Sequence, residues 1–437
     1  MSQFTLPRKF NYKYPIIKKA EGIYLFDQDN KKYIDGCSGA FVSNFGHNNQ
    51  KLINSFKDNF DKAFYVNGKF FHSELYEQYC FELNSIIAKP FRHSLLSSGS
   101  DAMEAALKFV FQYHRSKRNM NKSIIFSRSP SYHGNTLWAL AVSGRKSYQK
   151  EFQNFLPSGI EFVKTPYEKE FKGDYQKDGS DYYLNEINKK IEKLGADNIA
   201  AIIVEPISGS SIGGQTPPDG YLPELRKICT EHDILLLFDE VLTGFGRVGN
   251  YFAFQNYNVY PDLFIAGKGL TSGLVPCGML SVSENCYQAV AESCGGLGHQ
   301  QTFMQNSMVA AAGLAVIKEL KNQNIIEAIK ENQDFVHDLL NNLLINSKNI
   351  GSLTGIGALW GLELFSDPKT LERFSATQEF AYKVQKQCLA KGLAIWAQVG
   401  GLSRDCGDQL IIAPPLNTSR GEYEQMSQIL QGVLDSP

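Results

Sequence analysis

The sequence predicts an α/β protein whose larger domain is built on a mostly parallel central sheet. Between residues 94 and 320, short apolar runs alternate with amphipathic helical stretches, the pattern of repeated strand–helix–strand units. The apolar runs are about four to eight residues long, as expected for strands buried on both faces of a parallel sheet. The 437 residues exceed the usual size of a single core. We therefore expect a smaller domain beside the large one.

Seven apolar runs define the predicted strands, and a hairpin precedes them. The hairpin is GIYLFDQDNKKYIDG, in which two alternating apolar runs flank a turn at residues 27–30. A long helix is predicted from about Val309 to Asn322, and the polar stretch 167–181 is predicted to be an exposed excursion. The predicted strands are SLLSS, SIIFSR, EFVKT, AAIIVEP, ILLLFDE, DLFIAGK and GMLSV.

Composition and charge argue against several classes of partner. The formal net charge is −1, which gives no reason to expect nucleic acid or an anionic membrane as partner. The N-terminus has no apolar signal segment, and no run of about 18 apolar residues occurs, so a soluble cytoplasmic protein is predicted. The eight cysteines have neither metal-site nor disulfide spacing, and we expect reduced thiols, mainly in the core.

The first chemical motif, Ser97–Ala102, follows the strand SLLSS and opens a helix. A glycine and hydroxyl groups at such a turn leave backbone N–H groups facing an anion, and the helix N-terminus adds positive potential, so a phosphate would fit. The alternative is a capped helix without a ligand, because Ser98 and Asp101 also satisfy the capping-box pattern. Taken alone, the motif favours the capped helix.

Polar residues also follow two further strands. Tyr132, His133 and Gly134 come after SIIFSR, where an aromatic ring can stack on a planar ligand; an ordinary loop with a core tyrosine is the alternative. His133 could be a general base, although a histidine held in place by a hydrogen bond is the commoner case. Glu205 ends the run AAIIV, either as a functional carboxylate or as a cap for the next loop, and the residues leave both interpretations open.

Asp239 and Lys268 form the central pair, because each ends a buried apolar run. Their spacing suits neighbouring strands of one sheet, and ligands bind beyond the carboxyl ends of such strands. A lysine there is costly unless its charge is paired or its pKa is lowered, as in catalytic amines. The aspartate could hold a cationic ring nitrogen. A structural ion pair is the alternative, although it returns little stability for its desolvation cost.

Seven motifs stand in one order along the chain: GSDAMEAALK, SYHG, VEP, LLLFDEVLTGFGR, AGKG, TF and APPL. In this order and at this spacing the sequence resembles the class III aminotransferases, which are pyridoxal-phosphate (PLP) enzymes of fold type I. The resemblance covers nearly the whole chain, from the hairpin to Leu416. It implies a large PLP-binding domain at 56–315 and a smaller α+β domain built from both termini, residues 1–55 and 316–437.

The resemblance also implies roles for residues in these motifs. Lys268 would form the Schiff base with PLP and then move a proton between substrate and cofactor. Asp239 would pair with the pyridine N1–H, so that the ring acts as an electron sink. Tyr132 and Val241 would cover the two faces of the ring. Further cofactor contacts would come from Gly99, Ser100, His133, Glu205 and, reaching over from the other subunit of a homodimer with shared active sites, Thr302.

Departures from the family pattern concern the substrate. Members acting on ornithine or γ-aminobutyrate carry a glutamate and an arginine where this chain has Ser210 and Ile411, which lowers the expectation of such substrates. Leu242 replaces a glutamine that bonds the phenolic oxygen of the cofactor. The segment 404–408 is similar to the Arg-x-x-Gly-Asp loop of ω-amine and pyruvate-dependent members. Arg404 is therefore the candidate for a mobile carboxylate-binding arginine, with a plain surface arginine as the alternative.

The sequence therefore predicts a PLP-dependent aminotransferase that moves an amino group from an amine or ω-amino compound to a 2-oxo acid by a ping-pong mechanism. Pyruvate is a candidate acceptor. An aminomutase or racemase of the same fold keeps the same lysine, aspartate and tyrosine and is the alternative. A non-catalytic PLP-fold binding protein is less favoured, because Lys268 and Asp239 are retained. A nicotinamide-binding Rossmann enzyme lacks support, since no GxGxxG follows the first strand.

Overall fold

The first part of the chain forms a small antiparallel ribbon followed by helices. The computed structural model describes residues 5–10, 12–403 and 406–435. The elements of this part are β1 (Ile17–Glu21), β2 (Tyr24–Asp27), β3 (Lys32–Asp35), the single turn α1 (Ser38–Phe41), α2 (Gln50–Lys57) and α3 (Glu74–Ile87). In the ribbon β2 pairs antiparallel with β3, with Leu25 opposite Tyr33. The predicted hairpin is confirmed.

A central sheet of seven strands organises the middle of the described chain. Its strands are β4 (Phe91–Leu96), β5 (Ile124–Ser129), β6 (Ile160–Lys164), β7 (Ile199–Val204), β8 (Leu235–Asp239), β9 (Leu263–Gly267) and β10 (Gly278–Ser283). Their order is β4-β10-β9-β8-β7-β5-β6. The pairs from β9 to β6 are parallel, whereas β10 runs antiparallel to both of its neighbours. All seven predicted strands and the mostly parallel sheet are confirmed.

Helices cover both faces of this sheet. They are α4 (Gly99–Ser116), α5 (Leu137–Ala141), α6 (Lys146–Gln149), α7 (Tyr175–Leu194), α8 (Tyr221–Glu231), α9 (Glu284–Ala291) and α10 (Ser307–Asn322). Successive residues of β8 belong to opposite cores: Leu236 and Phe238 pack with α10 on one face, and Leu235 and Leu237 pack with α4 on the other. Burial on both faces explains the unbroken apolar run, because side chains alternate along a strand.

The prediction of an exposed excursion at 167–181 is confirmed for residues 168–174, which are exposed or half-buried, and is wrong for Tyr167 and from Tyr175 onward. Helix α7 begins inside this stretch, capped by Asp174, whose Oδ1 accepts a hydrogen bond from Lys177 N at 3.2 Å. Tyr167 and Tyr175 are only 3% and 5% exposed. From Tyr175 onward, buried residues recur every fourth position along α7 and form one stripe towards the core. The polar residues between them hide that stripe in the sequence.

The last part of the chain forms a second hydrophobic core, and one of its strands pairs with the N-terminal ribbon. Its elements are α11 (Ile325–Asn346), β11 (Ile350–Ile356), β12 (Leu359–Asp367), β13 (Glu372–Arg373), α12 (Phe380–Ala390), β14 (Leu393–Ala394), β15 (Trp396–Ser403), β16 (Cys406–Ile412) and α13 (Arg420–Leu434). Strands β11, β12, β16 and β15 form one sheet, whereas β14 pairs parallel with β3, Leu393 opposite Ile34. The domain division at 1–55, 56–315 and 316–437 stays a prediction.

The long helix predicted near the end of the large domain is present as α10, which begins two residues before the predicted start and ends at Asn322. Ser307 lies at its beginning, with Asn306 as the cap. Within the described ranges, no helix combines the length and apolar character needed to cross a membrane.

Candidate active site

A cavity of about 470 Å³ lies where the carboxyl ends of the central strands meet. Its volume falls in the range of small-molecule sites, and its position is the one at which open α/β sheets bind ligands. Three neighbouring parallel strands each deliver a charged residue to it: Glu205 follows β7, Asp239 ends β8 and Lys268 follows β9. The other predicted site residues that line the cavity are Gly99, Ser100, Tyr132, His133 and Val241.

Lys268 presents an amino group without a hydrogen-bond partner to this cavity. Its Nζ makes no hydrogen bond or ion pair with any described residue and lies 5.2 Å from the centre of the Phe41 ring. Burial lowers its pKa to about 8, against the opposing influence of the Asp239 and Glu205 charges. The backbone of Lys268 has a φ of +45°, a left-handed conformation that is costly for a residue with a side chain. Such strain is typical of functional positions.

Asp239 is held by two hydrogen bonds. Its Oδ1 accepts from the backbone N–H of Val241 at 3.0 Å, and its Oδ2 lies 2.7 Å from His133 Nδ1. An ionised Asp239 requires the proton on Nδ1, which makes His133 a donor there. His133 Nε2 is buried without a partner among the described residues. Of the two interpretations of His133, the histidine held in place by a hydrogen bond is the one the structure has, and its partner is a predicted site residue.

The start of α4 is a capped helix N-terminus at the edge of the cavity. Ser98 Oγ accepts from the N–H of Asp101 at 3.1 Å, and Asp101 Oδ2 accepts from the N–H of Ser97 at 3.0 Å. The helix is therefore capped, and Ser98, Gly99 and Ser100 still line the cavity. The two interpretations of this motif are compatible, since the capped helix directs its first N–H groups and its dipole at the cavity.

Close packing around the first turn of α4 leaves no room for larger side chains. A Cβ on Gly99 would lie 3.1 Å from Val241 Cγ1, and one on Gly134 would lie 2.5 Å from Ser100 Oγ. Ser100 Oγ accepts from the N–H of Asn135 and donates to its Oδ1, both at 3.1 Å. Asn135 could not be selected from the sequence, because an asparagine after glycine is an ordinary turn residue.

Of the two interpretations of Glu205 that the sequence left open, the structure shows the loop cap, and the functional role stays a prediction. Its Oε1 accepts from the N–H of Gly209 at 3.1 Å and its Oε2 accepts from Ser211 Oγ at 2.6 Å, so the carboxylate caps the loop that follows β7. The same side chain lines the cavity, and its charge opposes the lowering of the Lys268 pKa. Glu205 thus shapes the loop and contributes negative potential beside the amine.

The structure does not bring every predicted residue into the cavity. Thr302 is exposed and does not line it in the single chain; its carbonyl accepts from Tyr65 Oη at 3.0 Å. Arg404 lies outside the described residues. Eight of the ten predicted site residues therefore meet in one place.

The two positions that depart from the family pattern of ornithine-type members, Ser210 and Ile411, carry uncharged side chains. Ile411 is fully buried and packs in one cluster with Phe41, Ile207 and Leu242. Ile207, Leu242 and Ser210 line the cavity itself. The apolar side chains of Ile207 and Leu242 in the cavity wall favour a substrate with an apolar body.

The family of the chain follows from comparison with known families. Residues 7–434 match the model of the family described as aminotransferase class III. The chain belongs to the class III aminotransferases. It has the PLP fold type I of that family and catalyses amino transfer with PLP as cofactor. The comparisons do not favour the aminomutase, racemase or non-catalytic alternatives.

Known relatives of this class III aminotransferase share its full length. The putrescine–pyruvate aminotransferase of Pseudomonas aeruginosa is 31% identical over 96% of this chain and 90% of that protein. A transaminase from the marine bacterium Virgibacillus has a TM-score of 0.90 at 27% identity, with 99% of this chain and 96% of that one covered. The ω-transaminase of Pseudomonas jessenii in complex with PMP has a TM-score of 0.89 at 25% identity, covering 97% and 92%.

The residues of the cavity fit the cofactor that this aminotransferase requires. The close approach at Gly99 and Gly134 leaves a cradle of N–H and hydroxyl groups at the start of α4, which suits a phosphate. Lys268 offers an amine with a lowered pKa for an aldehyde, and Asp239 offers a carboxylate for a ring N–H. A planar ring suits the remaining space, which is bordered by the side chains of Tyr132 and Val241.

Proposed function

We propose that this aminotransferase moves the amino group of an amine or ω-amino compound to a 2-oxo acid, and that pyruvate is its acceptor. The observation that carries the proposal is the apolar wall of Ile207 and Leu242, which line the cavity together with Lys268 and pack in one cluster with the buried Ile411. Ornithine-type substrates would leave a charged group unpaired against that wall, which is costly. The similarity to a putrescine–pyruvate aminotransferase and to ω-transaminases supports the same substrate class.

We propose the following division of work among the cavity residues. PLP, when bound, supplies an electron sink for the substrate carbon. Lys268 holds the cofactor through Nζ and, as a free amine, accepts a proton from the substrate carbon and returns it during transfer. Asp239 would supply a negative charge to the ring nitrogen, with His133 fixing its second oxygen. Tyr132 and Val241, which line the cavity, would hold the ring and exclude water from it.

The phosphate end of the cofactor is assigned to the start of α4. Gly99 and Ser100 would bind it through backbone N–H groups and a hydroxyl. Glu205 would remain beside the cofactor as a loop cap and a source of negative potential. Thr302 would reach the phosphate held by a second subunit, because its side chain is exposed and away from the cavity of its own chain.

We propose that the enzyme is a homodimer with shared active sites. An exposed aromatic patch supports this: Phe70 and Phe303 are 68% and 60% exposed, and the rings of Phe303 and Tyr65 lie 6.3 Å apart next to Thr302. Exposed apolar patches of this kind mark protein interfaces. The aromatic patch consists of Phe64, Tyr65, Phe70, Phe71 and Phe303.

We also propose that the enzyme acts in the cytoplasm. The seven cysteines whose side chains are described are free thiols, and most of them are buried. Free thiols persist in reducing compartments, whereas secreted proteins tend to pair them.

A matrix of amines and oxo acids tests the substrate class. Each of 1-phenylethylamine, putrescine and ornithine is combined with pyruvate and with 2-oxoglutarate, and the amino acid product is quantified by chromatography. We expect the highest kcat/KM with pyruvate and a non-ornithine amine. Preference for ornithine with 2-oxoglutarate would contradict the proposal. In the same assay Arg404→Ala should raise the KM for pyruvate, and an unchanged KM would show that Arg404 is not the mobile arginine.

A further inference from the structure

One side of the cavity is formed by the loop that follows β7, residues 207–214, here called the wall loop. Gly209 and Ser210 of this loop line the cavity. A Cβ on Gly209 would lie 2.9 Å from Leu242 Cδ1, so the loop packs directly against Leu242 of the apolar wall. The position of the wall loop therefore sets how much space a substrate has beside Lys268.

A glutamine of the C-terminal sheet holds the wall loop in place. Gln409 lies on β16 and is only 2% exposed. Its Nε2 donates to the carbonyl oxygens of Ser210 and Ser211 at 3.1 and 3.2 Å, and its Oε1 accepts from the N–H of Gly213 at 2.9 Å. The carbonyl oxygen of Ser210 also accepts from Arg145 Nη2. Both N–H donors and the acceptor of one buried amide are thus bonded to the loop.

The wall loop is fixed from two sides. On the side of the C-terminal sheet, Thr354 of β11 donates to the carbonyl oxygen of Gly213 at 2.6 Å, and a Cβ on Gly213 would lie 2.9 Å from Gly361 Cα of β12. On the side of the central sheet, Glu205 accepts hydrogen bonds from two groups of the loop. The shape of the cavity wall therefore depends on the sheet that carries Gln409, although Gln409 itself does not line the cavity.

We propose that Gln409 is a specificity-determining positioning residue, which limits the size of the amine substrate by holding the wall loop against Leu242. Loss of its amide would leave buried backbone groups unpaired, and the loop would shift to find new partners or water. A loop released in this way no longer presses Gly209 against Leu242, so the space beside them grows. The proposal deepens the proposed function and rests on it for the class of substrate.

Hydrogen exchange of backbone amides tests the support and needs no substrate. Gln409→Met keeps the volume of the side chain but removes its donors and its acceptor. In the PLP-loaded enzyme we expect amides of the wall loop to exchange about tenfold faster or more in this variant, measured by mass spectrometry. The matched control is Gln385→Met, at a glutamine of α12 whose Nε2 donates to the carbonyl oxygen of Ile395, and it should leave exchange of the loop unchanged.

Unchanged exchange of the wall loop in Gln409→Met would overturn the proposal. If this variant does not fold, Gln409→Glu takes its place, because an ionised glutamate keeps an acceptor for the N–H of Gly213 and loses both donors. We expect faster exchange of the loop in Gln409→Glu as well, and wild-type exchange in that variant would overturn the proposal in the same way.

A pair of amines of different size measures the effect on specificity. The rate at which each amine alone bleaches the PLP absorbance is compared for 1-phenylethylamine and the bulkier 1-(1-naphthyl)ethylamine. In Gln409→Met we expect the ratio of efficiencies, naphthyl over phenyl, to rise about tenfold, through the half-saturating amine concentration rather than the maximal rate. In Gln385→Met the ratio should stay within about twofold of the wild type, because distant sites act independently.

Equal changes for the two amines in Gln409→Met would show that Gln409 only stabilises the fold, and would overturn the proposal. Failure of the wild-type enzyme to use pyruvate would count against the proposed function alone, since the reaction with amine uses no oxo acid and hydrogen exchange uses no substrate.

Discussion

Lys268 shows how burial controls reactivity at a single residue. Because burial lowers its pKa to about 8, Nζ is mostly protonated below that pH and mostly the free amine above it. We predict that capture of PLP by the cofactor-free protein accelerates about tenfold per pH unit below pH 8 and levels off above it. Stopped-flow absorbance of PLP measures the rate.

Two variants check this assignment. Lys268→Ala should capture no PLP at any pH. Asp239→Asn should move the rise in rate to lower pH, because the negative charge of Asp239 holds the pKa of Lys268 up. A capture rate that does not change between about pH 6 and 9 would contradict the lowered pKa.

His133 fixes the orientation of Asp239, and we therefore expect its replacement to lower kcat. We predict that His133→Leu lowers kcat about 10- to 100-fold, the range expected for one hydrogen bond to a charged group. His133→Asn should retain more activity, since its amide can donate to Asp239 Oδ2. The matched control is His114→Gln, at another buried histidine, whose Nε2 lies 2.8 Å from the carbonyl of Ala200. Equal losses of kcat in the His133 and His114 variants would refute the role of His133.

At the scale of an element, we expect PLP binding to depend on the close packing at the start of helix α4. We predict that Gly99→Ala weakens PLP binding about tenfold, because the new Cβ would lie 3.1 Å from Val241 Cγ1 and would push that side chain towards the ring. Gly421→Ala, also in the first turn of a helix, is the control, since its Cβ meets nothing within 4 Å. Absorbance titration with PLP compares the two, and equal Kd values would argue against the packing explanation.

Elements with a continuous local pattern could be predicted from the sequence. Strand β8 is apolar at every position before Asp239 because both of its faces are buried, so its pattern needs no knowledge of its neighbours. Helix α7 could not be predicted in the same way. Its stripe begins with Tyr175 and Gly179, which are not strongly apolar, and the charged residues between them obscure the period.

Site residues could be predicted from the sequence where a charged residue ends a buried strand, because such a residue needs a chemical role to offset its burial. Asp239 and Lys268 satisfy this condition, and both line the cavity. The pairing of His133 with Asp239 joins different strands across the sheet, and no local pattern indicates it.

At the scale of the whole molecule, the aromatic patch is the surface that we propose as the dimer interface. We predict that the wild-type enzyme is a dimer and that Phe303→Glu shifts it to monomer with loss of activity, because a buried unpaired carboxylate is costly at an interface. Sedimentation velocity measures the mass. Ile345→Glu is the matched control, since Ile345 is 69% exposed on α11 outside the patch, and it should leave both mass and activity unchanged. A wild-type monomer with full activity would refute shared active sites.

The pairing of β3 with β14 sets an order of events during synthesis on the ribosome. The seven strands of the central sheet lie between Phe91 and Ser283 and can pair as soon as that segment emerges. Residues Ile34 and Asp35 must wait for Leu393 and Ala394, which are translated after all seven strands of the central sheet. Until then β3 offers an open edge, the kind of surface that nascent chains pair wrongly or that chaperones shield. Strand β3, which is made before the central sheet, thus gains its last partner only after that sheet is complete.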